Sequence, residues 1–262
     1  MASAKDNDGK ISRVQDLLDL IAESKLAEKQ KAHVRLWFRG QPRASWKLVP
    51  GVYRPGFPTS EEERLNIERH LTQDFRVQCA GLLSGSKPDT ELYFLQQHYK
   101  MPTRLLDWTL SPLAALYFAV MQEPDDDAAL FMMDAYMLAT CQGASGHFQG
   151  VATSRSQIFR DALRVIFDWW DPAKHFPAFV LPIRPDHFDR RVMLQRGCFT
   201  FHVPGRESLS KKENTSLRSF FIPKASKQAI KKELFLLGID TFSIYGDLES
   251  LAERLRFAYN LD

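Results

Sequence analysis

The feature that most constrains the fold is an apolar run that directly follows a helix-start signal. Ser111 is a favourable N-cap residue, and Pro112 suits the first position of a helix. Residues 113–120 (LAALYFAV) then contain no charged side chain. A helix that is apolar on every side cannot face water, so we expect this helix to be buried nearly all round.

Hydrophobic periodicity predicts a helix-rich N-terminal half followed by shorter, strand-like elements. Amphipathic spacing indicates helices at residues 12–31, 60–83, 90–99, 153–170, 226–237 and 247–259. The fourth of these has Thr153 or Ser154 as its predicted cap. Strands are predicted at LWF (36–38), AALFMMD (128–134), AFVLPI (178–183), CFTFHV (198–203) and RSFFIP (218–223).

These elements predict the fold class α+β, with a single domain over residues 1–262. Residues 1–31 are predicted to form an N-terminal helix and tail. Residues 32–262 are predicted to form a core around a small mixed or antiparallel sheet.

Composition argues against disorder and against membrane insertion. The chain has 262 residues, of which 44% are hydrophobic and 26% charged, as is typical of a globular protein. No apolar run approaches the roughly 18 residues that a membrane-spanning helix needs. The N-terminal segment MASAKDNDGKISR mixes acidic and basic residues, unlike a signal or transit peptide. We therefore expect a cytoplasmic protein that does not contact a membrane.

Metal and disulfide chemistry have no support in the sequence. The three cysteines lie far apart without a CxxC pair, and the seven histidines form no HExxH motif or His-Cys cluster. We expect reduced cysteines and no metal. The formal net charge of +3 permits a polyanionic partner without requiring one.

Arg39 and Gly40 occur where a predicted strand ends, in the segment LWFRGQPRASWKLVP (36–50). This pair suits the binding of an anion, because a guanidinium binds phosphate in a bidentate manner and a glycine lets a ligand approach the backbone. The alternative is an arginine that pairs with a structural carboxylate at the end of the strand. The segment alone supports both interpretations.

The segment HYKMPTRLLDWTLSP (98–112) is the densest group of polar side chains in the chain. Its polar residues are His98, Tyr99, Thr103, Arg104, Asp107, Trp108, Thr109 and Ser111. They offer a hydrogen-bonding floor beside an aromatic wall at Trp108, which suits a planar polar ligand. The alternative is ordinary capping and turn chemistry, in which Asp107 pairs with Arg104.

Several motifs, in chain order, resemble the pattern of the FRG domain family, which is named for its Phe-Arg-Gly motif. They are FRGQ (38–41), Trp46 with Pro50, QQHYKMPTRLLDWTLSPLAALYFA (96–119), MLQRGCFTFHV (193–203) and GDLESLAERL (246–255). The resemblance extends from about Trp37 to Leu255. The family name describes a motif and no activity.

A fainter resemblance, to arginine-type mono-ADP-ribosyltransferases, implies an ADP-ribosyltransferase-like fold that uses NAD. Those enzymes have an aromatic-Arg-Gly strand, then a Ser-Thr-Ser strand leading into an apolar helix, and finally a strand with a glutamate. WFRG (37–40) resembles the first element and LLDWTLSPLAALYFA (105–119) the second. The resemblance implies that Arg39 contacts the pyrophosphate or ribose of NAD, with Thr109 or Asp107 beneath the nicotinamide ribose.

The third element departs from the transferase pattern, because LQRGCFTF (194–201) has Gln195 and Gly197 where the transferases place a glutamate. A carboxylate there stabilises the oxocarbenium-like charge that develops as nicotinamide leaves. One interpretation is that another acid supplies this charge, with Asp107 the first candidate and Glu91 and Glu207 remoter ones. The other is that the protein binds a nucleotide without transferring it.

Together these arguments define a predicted site. The predicted catalytic residues are Asp107, Gln195 and Arg39. The predicted cofactor-binding residues are Arg39, Gly40, Gln41, His98, Arg104, Trp108 and Thr109. We expect the fold to bring Arg39, Asp107, His98, Thr109 and Gln195 into one cleft.

The leading hypothesis from the resemblance is an NAD-dependent enzyme, either ADP-ribosyltransferase-like or NAD-cleaving, with a nucleic acid or a protein as acceptor. The family resemblance also suggests a bacterial toxin or an anti-phage defence effector. The alternative is a non-catalytic module that binds a nucleotide or nucleic acid in the same cleft. Basic residues at 190–196 and 224–232 are either solvated or part of such a surface. A nuclease is disfavoured because the sequence has no cluster of metal-binding acids.

Overall fold

The fold was analysed in a computed structural model that describes residues 8–24, 35–141, 150–169, 179–186, 190–209, 217–259 and 261. The strands are β1 (Gly9–Lys10), β2 (Leu36–Gln41), β3 (Leu105–Thr109), β4 (Ala128–Asp134), β5 (Ala152–Thr153), β6 (Val180–Arg184), β7 (Gly197–His202) and β8 (Arg218–Ile222). The helices are α1 (Val14–Glu23), α2 (Glu61–Cys79), α3 (Asp89–His98), α4 (Pro112–Val120), α5 (Ala135–Cys141), α6 (Gln157–Phe167), α7 (Arg190–Leu194), α8 (Lys224–Leu236), α9 (Thr241–Tyr245) and α10 (Leu248–Ala258). A 3₁₀ turn covers Gly51–Tyr53.

The described strands form one eight-stranded sheet in the order β1-β8-β4-β2-β3-β7-β6-β5. The pairs β1–β8 and β5–β6 are parallel, and the other pairs are antiparallel. The α+β class and the mixed sheet are thereby confirmed, although the sheet is larger than expected. The strands β2, β3 and β7 are neighbours at its centre, where each is paired on both sides.

Helix α4 forms as its sequence predicts. The Ser111 hydroxyl accepts a hydrogen bond from the main-chain N of Ala114 at 3.2 Å, which caps the helix, and Pro112 occupies its first position. Most of the helix is buried, including Leu116, which has no exposed surface. It packs on β2, where a hydrophobic cluster surrounds it.

Three hydrophobic clusters form the core. The first joins α1, α4 and α8 to β2, β4 and β8, and the second joins α2, α3 and α6 to β3, β6 and β7. In β2, Leu36 and Phe38 belong to the first cluster, whereas Trp37 belongs to the third. Since successive side chains of a strand point to opposite faces, β2 is buried on both sides.

The N-terminal segment is part of this core. Strand β1 pairs with β8, and both Ile11 and Leu17 are fully buried in the first cluster. The core that we expected to begin at residue 32 therefore includes α1. The predicted continuation of this helix to residue 31 lies outside the described residues.

Other differences from the predicted elements concern short segments. The cap of α6 is Ser156 rather than Thr153 or Ser154. The Ser156 hydroxyl accepts from the main-chain N of Thr153 at 2.9 Å, so the residues before it form a turn. The short elements β1, β5, α5, α7 and α9 were not predicted. In the part of the chain that the structure describes, no helix is long and apolar enough to cross a membrane.

Candidate functional site

A cleft of about 1020 Å³ opens above the centre of the sheet. Seven predicted site residues line it: Arg39, Gly40, His98, Asp107, Trp108, Thr109 and Gln195. The prediction that Arg39, Asp107, His98, Thr109 and Gln195 share one cleft is confirmed. Its lining includes Phe38 from the first hydrophobic cluster and Phe94 from the second, so the cleft lies where the two clusters meet.

The cleft begins where two central strands part. Strands β2 and β3 share one register pair, Phe38 with Thr109. The next residues along the two strands, Arg39 and Trp108, would be partners in a continuous ladder, but they are not paired with each other. Beyond this point the Arg39 side chain bridges the strands, because its Nη1 donates to the main-chain O of Asp107 at 2.7 Å. A side chain thus replaces a ladder hydrogen bond and leaves the strands open.

The Arg39 guanidinium is only partly used by the protein. It has five donors in principle. Among the described residues its hydrogen-bond acceptor is the Asp107 carbonyl, and its buried Nε has none. The Asp107 carboxylate lies 3.7 Å from Nη1. Burial lowers the pKa of Arg39 to about 10, although the Asp107 charge opposes this shift. The guanidinium therefore stays protonated at neutral pH with donors to spare.

The Asp107 carboxylate is held in place while remaining open to solvent. Its side chain is 56% exposed. The amide nitrogen of Gln97 donates to both carboxylate oxygens, at 2.9 and 3.0 Å, and the Gln97 amide oxygen accepts from the Thr103 hydroxyl. Gln97 was not among the predicted site residues. Its position in the motif at residues 96–119, one residue before the polar segment, was the available signal.

Thr109 and Gln195 are used mainly to join β3 to the turn before β7. The Thr109 hydroxyl donates to the main-chain O of Gln195 at 2.6 Å and accepts from the main-chain N of Ser111 at 2.9 Å. Thr109 is also buried. The side-chain amide of Gln195 reaches the main-chain O of Ile244 at 3.4 Å. The Thr109 donor is therefore not available for a ribose in this arrangement.

Trp108 does not supply the expected aromatic wall. Its indole is buried in the third cluster, and its Nε1 donates to the Thr200 hydroxyl at 3.1 Å. The aromatic residues that line the cleft with more exposed surface are Trp46, Phe118 and Tyr245. These residues come from three separate parts of the chain, which explains why spacing did not indicate them.

Arg104 is not a ligand-binding residue. Its side chain is fully buried, with Nε 2.7 Å from Oε2 of Glu68 and Nη2 2.9 Å from Oε1 of Glu61. These carboxylates raise the pKa of Arg104 despite its desolvation. Both the binding role and the alternative pairing with Asp107 are therefore wrong, because α2 supplies the partners.

Gln41 and Gly40 are also structural. Gln41 is buried, does not line the cleft and donates to the main-chain O of Lys47 at 3.4 Å. At Gly40, an added Cβ would lie 1.9 Å from the main-chain O of Ala115 and 2.7 Å from the main-chain N of Ala119. Gly40 is therefore needed for the close approach of α4 to β2, rather than for that of a ligand.

Apart from Asp107, the carboxylates of the cleft were not among the predicted site residues. Glu91 pairs with Lys87 at 2.7 Å and Glu207 lies 3.9 Å from Arg64, and neither lines the cleft. Besides Asp107, the acids in the lining are Asp247, Glu249 and Glu253, at or near the start of α10. Within the described ranges, no group of His, Cys, Asp and Glu can hold a metal ion.

Asp247 has a structural task in that group. Its Oδ1 accepts from the main-chain N of Ser250 at 2.8 Å and caps α10, and this bond lowers the pKa of Asp247. Glu249 and Glu253 are exposed on the first turns of the helix. The start of α10 therefore adds an acidic wall to a cleft that also contains Arg39.

The basic residues do not form one surface. Arg191 lines the cleft and stacks on the Tyr245 ring at 4.5 Å, whereas Arg190 and Arg196 do not line it. Lys227 is buried, and its Nζ donates to the main-chain oxygens of Pro42, Gln122 and Glu123 at 2.8, 3.2 and 2.6 Å. This lysine ties the loop after β2 to the end of α4.

Fold and site together define an α+β protein with a central cleft over a parted strand pair, in which an arginine and an aspartate are adjacent. Residues 34–128 match the family model of the FRG domain, which supports the predicted membership of the FRG family. The match includes the Phe-Arg-Gly motif, helix α4 and the polar segment between them. The wider resemblance, to residue 255, stays a prediction. No curated protein and no solved structure matches the chain significantly.

Proposed function

We propose that the cleft binds NAD or a related nucleotide, and that the protein is an ADP-ribosyltransferase-like or NAD-cleaving enzyme. The observation that carries this proposal is the adjacent Arg39 guanidinium and Asp107 carboxylate, 3.7 Å apart, in a cleft of about 1020 Å³. A guanidinium with unused donors suits phosphate oxygens. A carboxylate held by Gln97 suits ribose hydroxyls or a developing positive charge.

The arrangement of the central strands supports this reading. The three elements of the transferase resemblance correspond to β2, β3 and β7, and these strands are hydrogen-bonded neighbours in that order. A ligand above their ends is within reach of all three elements. The apolar helix of the second element, α4, follows β3 directly.

In the proposed reaction the glycosidic bond between ribose and nicotinamide breaks, and its electron pair leaves with nicotinamide. The ribose carbon becomes oxocarbenium-like, and an acceptor nucleophile or water then attacks it. Asp107 would stabilise the positive charge with its carboxylate. Arg39 would hold the pyrophosphate, so that the ribose is fixed beside Asp107.

A specific observation favours a second function, that of a non-catalytic module which binds a nucleotide or nucleic acid. Strand β7 begins at Gly197, and no carboxylate occupies its start, where the resemblance places a glutamate. The Gln195 side chain that precedes it is bonded to the Ile244 carbonyl. A role as a bacterial toxin or anti-phage effector rests on the family resemblance alone.

Measurements of NAD binding and of nicotinamide release distinguish the two functions. They are made on four proteins: wild type, Arg39→Lys, Asp107→Asn and the control Arg155→Lys. Arg155 is an exposed arginine outside the cleft, paired with Asp186 at 3.1 Å. We expect wild type and the control to bind NAD in isothermal titration and to release nicotinamide. Arg39→Lys should weaken NAD binding by on the order of tenfold, because a charged bidentate contact is lost.

Asp107→Asn should bind NAD but release no nicotinamide. Binding of NAD by wild type without any nicotinamide release would leave the binding module as the function. Absence of NAD binding by wild type would contradict the proposal.

A further inference from the structure

We propose that Arg54 is a second anion-binding residue of the cleft, and that Arg39 and Arg54 together select a ligand with two adjacent phosphate groups. The inference rests on the proposed function and narrows its substrate class to nucleoside diphosphates and their derivatives. Arg54 also lines the cleft, directly after the 3₁₀ turn.

Arg54 is positioned by a rigid segment. Gly51 packs so closely on the next loop that an added Cβ would lie 2.9 Å from the Cα of Pro102. Val52 is fully buried, and its main-chain N donates to the main-chain O of Thr103 at 3.3 Å. The segment before Arg54 is therefore fastened to the chain that leads into β3, which carries Asp107.

Tyr53 anchors the same segment from the other side. Its hydroxyl accepts from Nη1 of the buried Arg104, and its ring lies under the Arg64 guanidinium at 4.5 Å. Arg54, the next residue, is exposed. A long side chain that starts from a fixed backbone loses less entropy on binding than one on a mobile loop.

The Arg54 charge is not compensated by the described residues. Its Nε donates to the main-chain O of Val49 at 3.4 Å, and no carboxylate of the described ranges pairs with it. By contrast, Arg43 is within 2.7 Å of Glu123, and Arg64 is within 2.6 Å of Glu61. Terminal donors of Arg54 are therefore available to an anion.

The two arginines are close enough to influence each other. Desolvation and the positive charge of Arg54 both lower the pKa of Arg39, whereas Asp107 opposes them. Two like charges in one cleft repel, so an anion that bridges them removes an unfavourable interaction. A single phosphate group can satisfy one guanidinium bidentately, and a diphosphate can satisfy two.

The rest of the cleft favours a short anionic group over a nucleic acid. Asp247, Glu249 and Glu253 line the cleft as well, so a continuous run of phosphates would meet carboxylates. A ligand with one charged segment and an uncharged remainder avoids this repulsion. The half-buried aromatic residues Phe118 and Tyr245 offer surface for the uncharged part.

The test is isothermal titration of adenosine, AMP, ADP, NAD and a short single-stranded DNA against wild type, Arg54→Gln and the control Arg155→Gln. Both substitutions remove one exposed positive charge, but Arg155 lies outside the cleft. We expect wild type to bind ADP more tightly than AMP, and AMP more tightly than adenosine. Arg54→Gln should weaken the binding of ADP and of NAD on the order of tenfold and should hardly change the binding of adenosine. Arg155→Gln should leave the affinity for every ligand unchanged.

Equal ADP affinity in wild type and Arg54→Gln overturns the inference, even if NAD binding still depends on Arg39. Equal affinity of wild type for ADP and adenosine, absence of ADP binding, or tighter binding of the DNA than of ADP also overturns it. Arg54-dependent ADP binding without nicotinamide release supports the inference while the proposed catalytic function fails.

Discussion

Arg39 makes a structural contact and also lines the cleft. Its guanidinium replaces a main-chain hydrogen bond between β2 and β3, and it also presents unused donors to the cleft. The Phe-Arg-Gly motif and the polar segment around Asp107 were sufficient to predict this pair. Arg104 was misread because its partner Glu68 lies on another helix, and no local pattern indicates a contact over that separation.

At Gly40 we predict a loss of stability on substitution by alanine. The added methyl group would meet the backbone of α4, which cannot move without disturbing the first cluster. The free energy of unfolding should fall by at least about 1 to 3 kcal/mol, as overpacked cores do. Denaturant unfolding measures this effect.

The matched control is Gly81→Ala, since an added Cβ at Gly81 has open space around it. Its free energy of unfolding should change much less than that of Gly40→Ala. If Gly40→Ala kept wild-type stability and lost only ligand binding, Gly40 would be a ligand-approach residue after all.

At the scale of elements, β3 and α4 have different roles, the one in the cleft and the other in the core, although only two residues lie between them. Strand β3 presents Asp107 to solvent, whereas α4 fills the core with Leu116. Substitutions in the two elements should therefore have different consequences. The comparison separates stability from function within one short segment.

We predict that Leu116→Ala lowers the free energy of unfolding by about 2 to 5 kcal/mol, because it leaves a cavity in a close-packed cluster. Asp107→Asn should leave the melting temperature nearly unchanged, since an exposed ion pair contributes little, about 0 to 1 kcal/mol. Thermal unfolding of both variants tests this. If Asp107→Asn lowered the melting temperature as much as Leu116→Ala does, the aspartate would be a structural partner of Arg39.

An element could be predicted from the sequence when its stabilising interactions lie within its own segment. Helix α4 has its cap, its proline and its apolar run within one segment, so local pattern was enough. The helices α5, α7 and α9 have five to seven residues each, too few to show a clear period. Their stability depends on packing against distant parts of the chain, which the sequence does not display.

At the scale of the whole molecule, the cleft is built on the sheet from segments that lie far apart along the chain. The α+β class and the shared cleft were predictable from composition, period and motif. The strand order was not, because the register of strands from distant segments is specified by packing on both faces. The acidic wall from α10 was missed for the same reason.

We predict that a chain ending at Gly246 keeps the sheet but binds its ligand more weakly. Within α10, Ser250 is the buried residue, and the helix is attached by contacts such as Arg254–Asp240 at 3.0 Å and the Phe235–Phe257 ring pair at 5.0 Å. Circular dichroism should show the β signal unchanged, with a moderately lower melting temperature. Titration with NAD should show weaker binding, because one wall of the cleft is gone.

A chain ending at Tyr259 is the control for this truncation, because it retains α10. It should match the full chain in both measurements. Undiminished NAD binding by the chain ending at Gly246 would show that the ligand contacts only the strands and α4.

The position of β2, β3 and β7 at the centre of the sheet has a consequence for how related sequences can diverge. The two outermost strands, β1 and β5, have two residues each and lie far from the cleft along the sheet. Insertions, deletions or lost strands at either margin would leave the parted pair and its arginine in register. Variation can therefore accumulate at the margins while the central strands keep their arrangement.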